Sequence, residues 1–150
     1  MSKTISDDVN IDYYNIIGEV NIDYLCLLKL PSFLSDVKIL RNPTFNFALF
    51  SNGSFNCSYN YLTSLEGSPI FVDNTFNCKG NQLSNLKGAT QYIGGNFDCR
   101  ENRLKSLEGI PKIIKGDFLL DQDLIDKFNL QYIYSLSDIQ GRVTSGFFFF

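Results

Sequence analysis

The chain reads as an α/β-type solenoid, with short parallel strands stacked coil upon coil and a helix closing its C-terminal end. Two observations predict this. Segments 55–75, 76–96 and 97–117 align without a gap on a 21-residue period, the mark of a stacked array. Beyond them, Leu124, Ile125, Phe128, Tyr132, Ile133 and Leu136 recur at helical spacing. The strands are expected to form one parallel sheet on a concave face, with an irregular convex side.

Each column of the repeat has a physical reason. Phe55, Phe76 and Phe97 align, as do Cys57, Cys78 and Cys99. The Phe-x-Cys alternation points both side chains to one face of a strand, which must be the interior. Asn60, Asn81 and Asn102 follow where the strand turns away, and their amides suit the free backbone groups of a turn. Leu62, Leu83 and Leu104, then Leu65, Leu86 and Leu107, turn inward and fill the coil. Gly67, Gly88 and Gly109, with Pro69, Thr90 and Pro111 two places on, break regular structure before the return leg. Val72, Ile93 and Ile114 stand 17 residues after each Phe and close the coil from the convex side. The outer two copies agree at nine of 21 positions.

The pattern extends in both directions. Phe118-x-Leu120 begins a fourth copy, with Ile125 and Phe128 in the leucine columns. Upstream, Val20-x-Ile22 reads as a coil start, and Ile16-Ile17-Gly18-Glu19 resembles Ile93-Gly94-Gly95-Asn96. Val37-x-Ile39, followed by Asn42, reads as a further, shorter coil of the same kind. Val9 to Tyr13 repeats letter for letter as Val20 to Tyr24 and suggests a capping strand. One domain over 1–150 results: an N-terminal cap (1–19), repeats (20–121), and a C-terminal cap with a phenylalanine tail (122–150). The capping helix is expected near 122–136, with Asp121 or Asp123 as its N-cap.

The run Phe-x-Cys-x-x-Asn-x-Leu-x-x-Leu resembles the signature of leucine-rich-repeat proteins. Asn60-Tyr61-Leu62-Thr63-Ser64-Leu65 is especially similar to the short bacterial subclass found in repeat domains of secreted effectors. The longer phrase, with Leu-Glu-Gly-x-Pro and a later Ile-Gly-Gly-Asn, resembles repetitive proteins of tailed bacteriophages and some bacteria. The strong match spans 55–120, and weaker matches reach 16–130. Phe and Cys stand where the family usually has leucine, and no ligase or toxin segment accompanies the repeats, so no effector activity is carried over. The resemblance implies the leucine-rich-repeat fold and a phage-type accessory protein that binds or inhibits a host protein in the host cytoplasm.

Composition narrows the function. The net charge is -3, which argues against a nucleic-acid binder. Histidine is absent, and with it the commonest general acid–base group and any Ser–His or Cys–His nucleophile pair. The most apolar stretch, 24–34, is broken by Lys29 and Pro31 and is too short to span a bilayer. The start of the chain lacks the basic and apolar regions of a signal peptide. A cytoplasmic protein with reduced thiols is the expectation.

Residue clusters that could carry chemistry have simpler explanations. Cys57, Cys78 and Cys99 invite a disulfide or thiolate metal site, but they occupy an inward column and read as buried structural thiols. Cys26 reads as core or near-core. Glu66 and Glu108 share one repeat position and read as solvated surface. Gly94-Gly95-Asn96 lacks the lysine of a phosphate loop and reads as a turn. No enzyme, cofactor or metal is expected.

The candidate surface is the outward side of the strands. Asn56, Ser58, Asn77, Lys79, Asp98 and Arg100 flank the cysteines, followed by Tyr59, Gly80 and Glu101, then Tyr61, Gln82 and Arg103. The inward columns are uniform while these vary from coil to coil. Tyr, Asn, Arg and both charge signs suit a protein interface. The partner-binding set is therefore Asn56, Ser58, Tyr59, Asn77, Lys79, Asp98, Arg100, Glu101 and Arg103. The ending Phe147, Phe148, Phe149 and Phe150 either folds back over the apolar end of the solenoid or docks into a partner or a second copy. Protein binding is the leading expectation. Self-association through an edge or the tail, in a structural or assembly role, is the alternative.

Overall fold

The computed structural model describes residues 2–4, 13–40 and 53–146. The phenylalanine tail at 147–150, most of the Val9 to Tyr13 copy and Asn42 lie outside the described residues.

Two ladders of parallel strands run the length of the molecule. One sheet joins six two-residue strands in chain order: Val20–Asn21, Phe55–Asn56, Phe76–Asn77, Phe97–Asp98, Phe118–Leu119 and Val143–Thr144. The other joins Tyr13–Ile17, Val37–Leu40, Phe71–Val72, Tyr92–Ile93, Ile113–Ile114 and Asp138–Ile139 in parallel. Ser2–Thr4 pairs antiparallel with Tyr13–Ile17 and makes seven strands. Two helices, α1 (Gln122–Phe128) and α2 (Leu130–Leu136), interrupt the last coil. The result is an α/β fold with parallel strands in two sheets, compatible with a solenoid-like repeat.

The second ladder corrects the expectation of an irregular return leg. Val72, Ile93 and Ile114 do point inward and are fully buried. Stacking the coils at about 4.8 Å also brings their backbones within hydrogen-bonding range, so N–H and C=O groups there pair with neighbouring coils. Outside them, Phe71 stacks on Tyr92 with centroids 4.6 Å apart.

The early register differs too. Val37–Leu40 is not a short Phe-x-Cys coil; it belongs to the return ladder, where Ile39 pairs with Ile16 and Val72. Val20 pairs directly with Phe55, 35 positions later. Val37-x-Ile39 has both apolar residues fully buried, as Phe55-x-Cys57 does in the other ladder, so local pattern cannot tell the two apart. The likeness between Ile16 and Ile93 does reflect position, since both stand in one column.

Four phenylalanines form the spine of the core. Phe55, Phe76, Phe97 and Phe118 are fully buried, with successive centroids 5.1, 5.4 and 5.6 Å apart. Burying each contributes about 1.5–3 kcal/mol. Cys57, Cys78, Cys99 and the two leucine columns complete the packing.

Glycine sets the coil spacing on the turning leg. A Cβ on Gly88 (φ +84°) would lie 2.3 Å from the Glu66 nitrogen. The expected C-terminal helix is two helices, because Asn129 adopts φ 55° and breaks the run. With ψ at 153° that conformation is strained for any side chain, and the Asn129 side chain caps α2 by accepting from the Tyr132 N–H at 3.0 Å. Ile125 is buried from α1 rather than from a leucine-type loop.

Candidate interaction face

The outer side of the six-stranded sheet carries the candidate residues, and hydrogen bonding divides them into two groups. The first group holds the fold. Asn21, Asn56, Asn77 and Asp98 share one register position. Each accepts, through Oδ1, the backbone N–H two residues on, from Asp23, Ser58, Lys79 and Arg100 at 3.1, 3.1, 3.0 and 3.2 Å. Asn and Asp favour this local closure, and it turns each strand away after two residues. Ser58 and Asp98 are buried, at 2% and 8% exposure, which removes them from a solvent-facing set. Asp98 is further held by Arg100, whose Nε and Nη2 donate to its two oxygens at 2.9 and 2.6 Å. The Asn or Asp one residue after Val20, Phe55, Phe76 and Phe97 was the sequence signal for this role.

The second group remains available. Tyr59, Gly80 and Glu101 occupy one column, and Tyr24 joins it from the first coil, each two residues past an inward Ile or Cys. All four are left-handed, at φ 52°, 71°, 56° and 51° in that order. Only glycine adopts this conformation freely; other residues there cost about 1–2 kcal/mol each. Tyr24 is 68% exposed and stacks on Tyr59 with centroids 4.8 Å apart. The Tyr59 ring lies over Gly80, where a Cβ would meet it at 2.4 Å. Lys79 Nζ stands 5.8 Å from the Tyr59 centroid and 3.1 Å from Glu101 Oε1. Hydrogen bonding to Tyr59 and then to Glu101 holds the Lys79 ammonium above the ordinary lysine range. Tyr61, Glu101 and Arg103 are exposed beside this row.

Asp121 completes the row rather than capping α1 with its side chain. In this column the Tyr59 and Gly80 N–H groups donate to Lys79 and Arg100 carbonyls of the next coil. Glu101 donates instead to the Asp121 carboxylate, at 2.9 and 3.1 Å.

Sequence reasoning missed Tyr24 because its coil was expected to be separated from the Phe55 coil by one at Val37; the pairing of Val20 with Phe55 makes the two neighbours. Cys26, expected near the core, is exposed, while the other three thiols are buried. Burial pushes the Cys57, Cys78 and Cys99 thiols far above the usual range, so they stay protonated. A shallow polar recess of about 280 Å³ opens beside the sheet between Glu19, Asn56 and Asn77. Among the described residues no His, Cys, Asp or Glu cluster could hold a metal ion, and no helix is long and apolar enough to cross a membrane.

No family model, curated protein or solved structure matches this chain.

Proposed function

We propose that this chain is a non-catalytic leucine-rich-repeat solenoid that binds a protein partner through the outer face of its six-stranded sheet. The resemblance to phage repeat proteins points to a partner in a host cytoplasm, held or inhibited by this face. One observation carries the reading: Tyr24, Tyr59 and Glu101 keep large side chains at left-handed positions where Gly80 shows that glycine fits. Retained strain of this kind marks positions kept for what the side chain does outside the core. A stacked aromatic pair, exposed at Tyr24 and half-buried at Tyr59, beside Lys79 and Arg103 has the composition of an interface centre.

The test replaces Tyr24→Ser, Lys79→Ser, Glu101→Gly and Arg103→Ser together. None of these side chains packs in the core, so the variant should melt near the wild-type temperature. A partner captured from native host lysate by the wild type should be lost by the variant. Equal capture by both proteins would move the binding site off this face.

A further inference from the structure

The six-stranded ladder has a direction. Residues of the inward columns point their backbone groups toward the following coil: Phe55, Phe76, Phe97 and Phe118 donate to the carbonyls of Thr75, Asn96, Asp117 and Arg142 at 2.8–2.9 Å. Val143 stands in the same column, paired with Phe118, and no further coil follows it among the described residues. A side chain takes its donor instead. The Val143 N–H donates to the Tyr134 hydroxyl at 3.1 Å, and that hydroxyl donates to the Gly141 carbonyl at 3.1 Å. The carbonyl of Ser145, the next inward position, accepts from Arg100 Nη1 at 3.0 Å. In the other ladder, Ile139 donates to Ser137 at 3.0 Å, within its own coil.

The opposite end of the same sheet is different. Among the described residues nothing pairs with the outer side of Val20–Asn21. Val20 and Ile22 there, and Val143 at the far end, are only partly buried, whereas the phenylalanines between them are fully enclosed. Among the described residues the two ends leave the same columns unfinished, and their strands run the same way. Setting the first strand of one molecule on the last strand of another would continue both the ladder and the core, a head-to-tail contact that does not close. Open strand edges invite such addition unless something covers them.

We propose that the Tyr134 hydroxyl is the stop that keeps the C-terminal end from accepting the Val20–Asn21 edge of a second copy of this chain. It occupies the N–H that an incoming strand must use and pins the bend at Gly141 beside it.

Tyr134→Phe removes only the hydroxyl. Sedimentation equilibrium across a concentration series should give the variant a mean mass that rises to roughly twofold or more that of the wild type, as expected for open-ended addition. Adding Asn21→Pro should return it to the wild-type mass, because proline removes the outer-edge donor while the Val20 and Ile22 donors to Ser54 and Asn56 stay in place; adding Asn21→Ala, which loses the same Asp23 turn bond, should leave the mass raised. A Tyr134→Phe mass equal to wild type at every concentration overturns the proposal. So does an increase that Asn21→Pro leaves in place. Should the phenylalanine variant fail to fold, amide exchange on the wild type decides: a slow Val143 amide supports the stop, and exchange at the rate of a free amide overturns it.

Discussion

Asn81 donates its side-chain amide to the carbonyl of Cys57 at 3.1 Å, reaching back 24 residues to the neighbouring coil. The same amide donates to Cys78 at 3.0 Å, and Oδ1 accepts from the Leu62 N–H at 3.0 Å. Asn102 repeats the arrangement on Cys78, Cys99 and Leu83. The turn leaves these backbone groups without partners in a dry interior, and asparagine supplies both a donor and an acceptor. Asn81→Leu strands the Leu62 N–H and leaves the Cys57 and Cys78 carbonyls with Asn60 and Asn102 alone, and a buried unsatisfied group costs about 1–3 kcal/mol. A loss of about 1–3 kcal/mol is expected in urea unfolding. A loss below about 1 kcal/mol would mean the ladder closes without the side chain.

The coil spacing is tested at Gly88. A methyl group there meets the backbone of Leu65 and Glu66 rather than a movable side chain, at a φ of +84°. Gly88→Ala should destabilise by about 2 kcal/mol or more. Gly67→Ala is the comparison: its φ is +89°, but the nearest atom stands at 3.5 Å, so only the backbone strain remains. Thermal melts of the two variants should rank Gly88→Ala clearly lower.

Thiol chemistry separates the cysteines. Cys26 is exposed, and Cys57, Cys78 and Cys99 are buried and held protonated by desolvation. A thiol reagent should label one cysteine of four in the native protein and all four in denaturant. Mass spectrometry should place the native label on Cys26. Rapid native labelling of Cys78 would contradict the packed column.

Asp117 gives a pH dependence with a definite sign. Its oxygens accept from the Arg142 N–H at 2.8 Å and from Nη2 at 3.1 Å. The backbone N–H, then the guanidinium, lowers its pKa below the ordinary carboxylate value. The ionised form is therefore favoured in the folded state. Its contribution is present above the unfolded pKa of about 3.9 and disappears as pH falls through the lower folded value. The urea midpoint of Asp117→Asn should fall below wild type at pH 7, with the gap closing in acid. Because Asn96 accepts from Asp117 in the same way one coil earlier, the gap should be small, reflecting charge alone. A gap independent of pH would remove the ionic explanation.

The sequence by itself determined the repeat, its inward Phe, Cys and Leu columns, and the helical C-terminal cap. These follow from periodicity, because a side chain that must be buried in every coil returns at the same interval. Only the tertiary structure decided that the return leg forms a second ladder, since pairing depends on the distance between coils and not on local pattern. It also decided that Val37–Leu40 lies in that ladder, because Val37-x-Ile39 shows the apolar alternation of the Phe-x-Cys strands. On the candidate face, Asn56, Ser58, Asn77 and Asp98 looked variable and outward. Hydrogen bonds to the turn and burial withdrew them, while the pairing of Val20 with Phe55 brought Tyr24 against Tyr59. That contact joins residues 35 apart across an irregular interval, and no periodicity within the chain could have announced it.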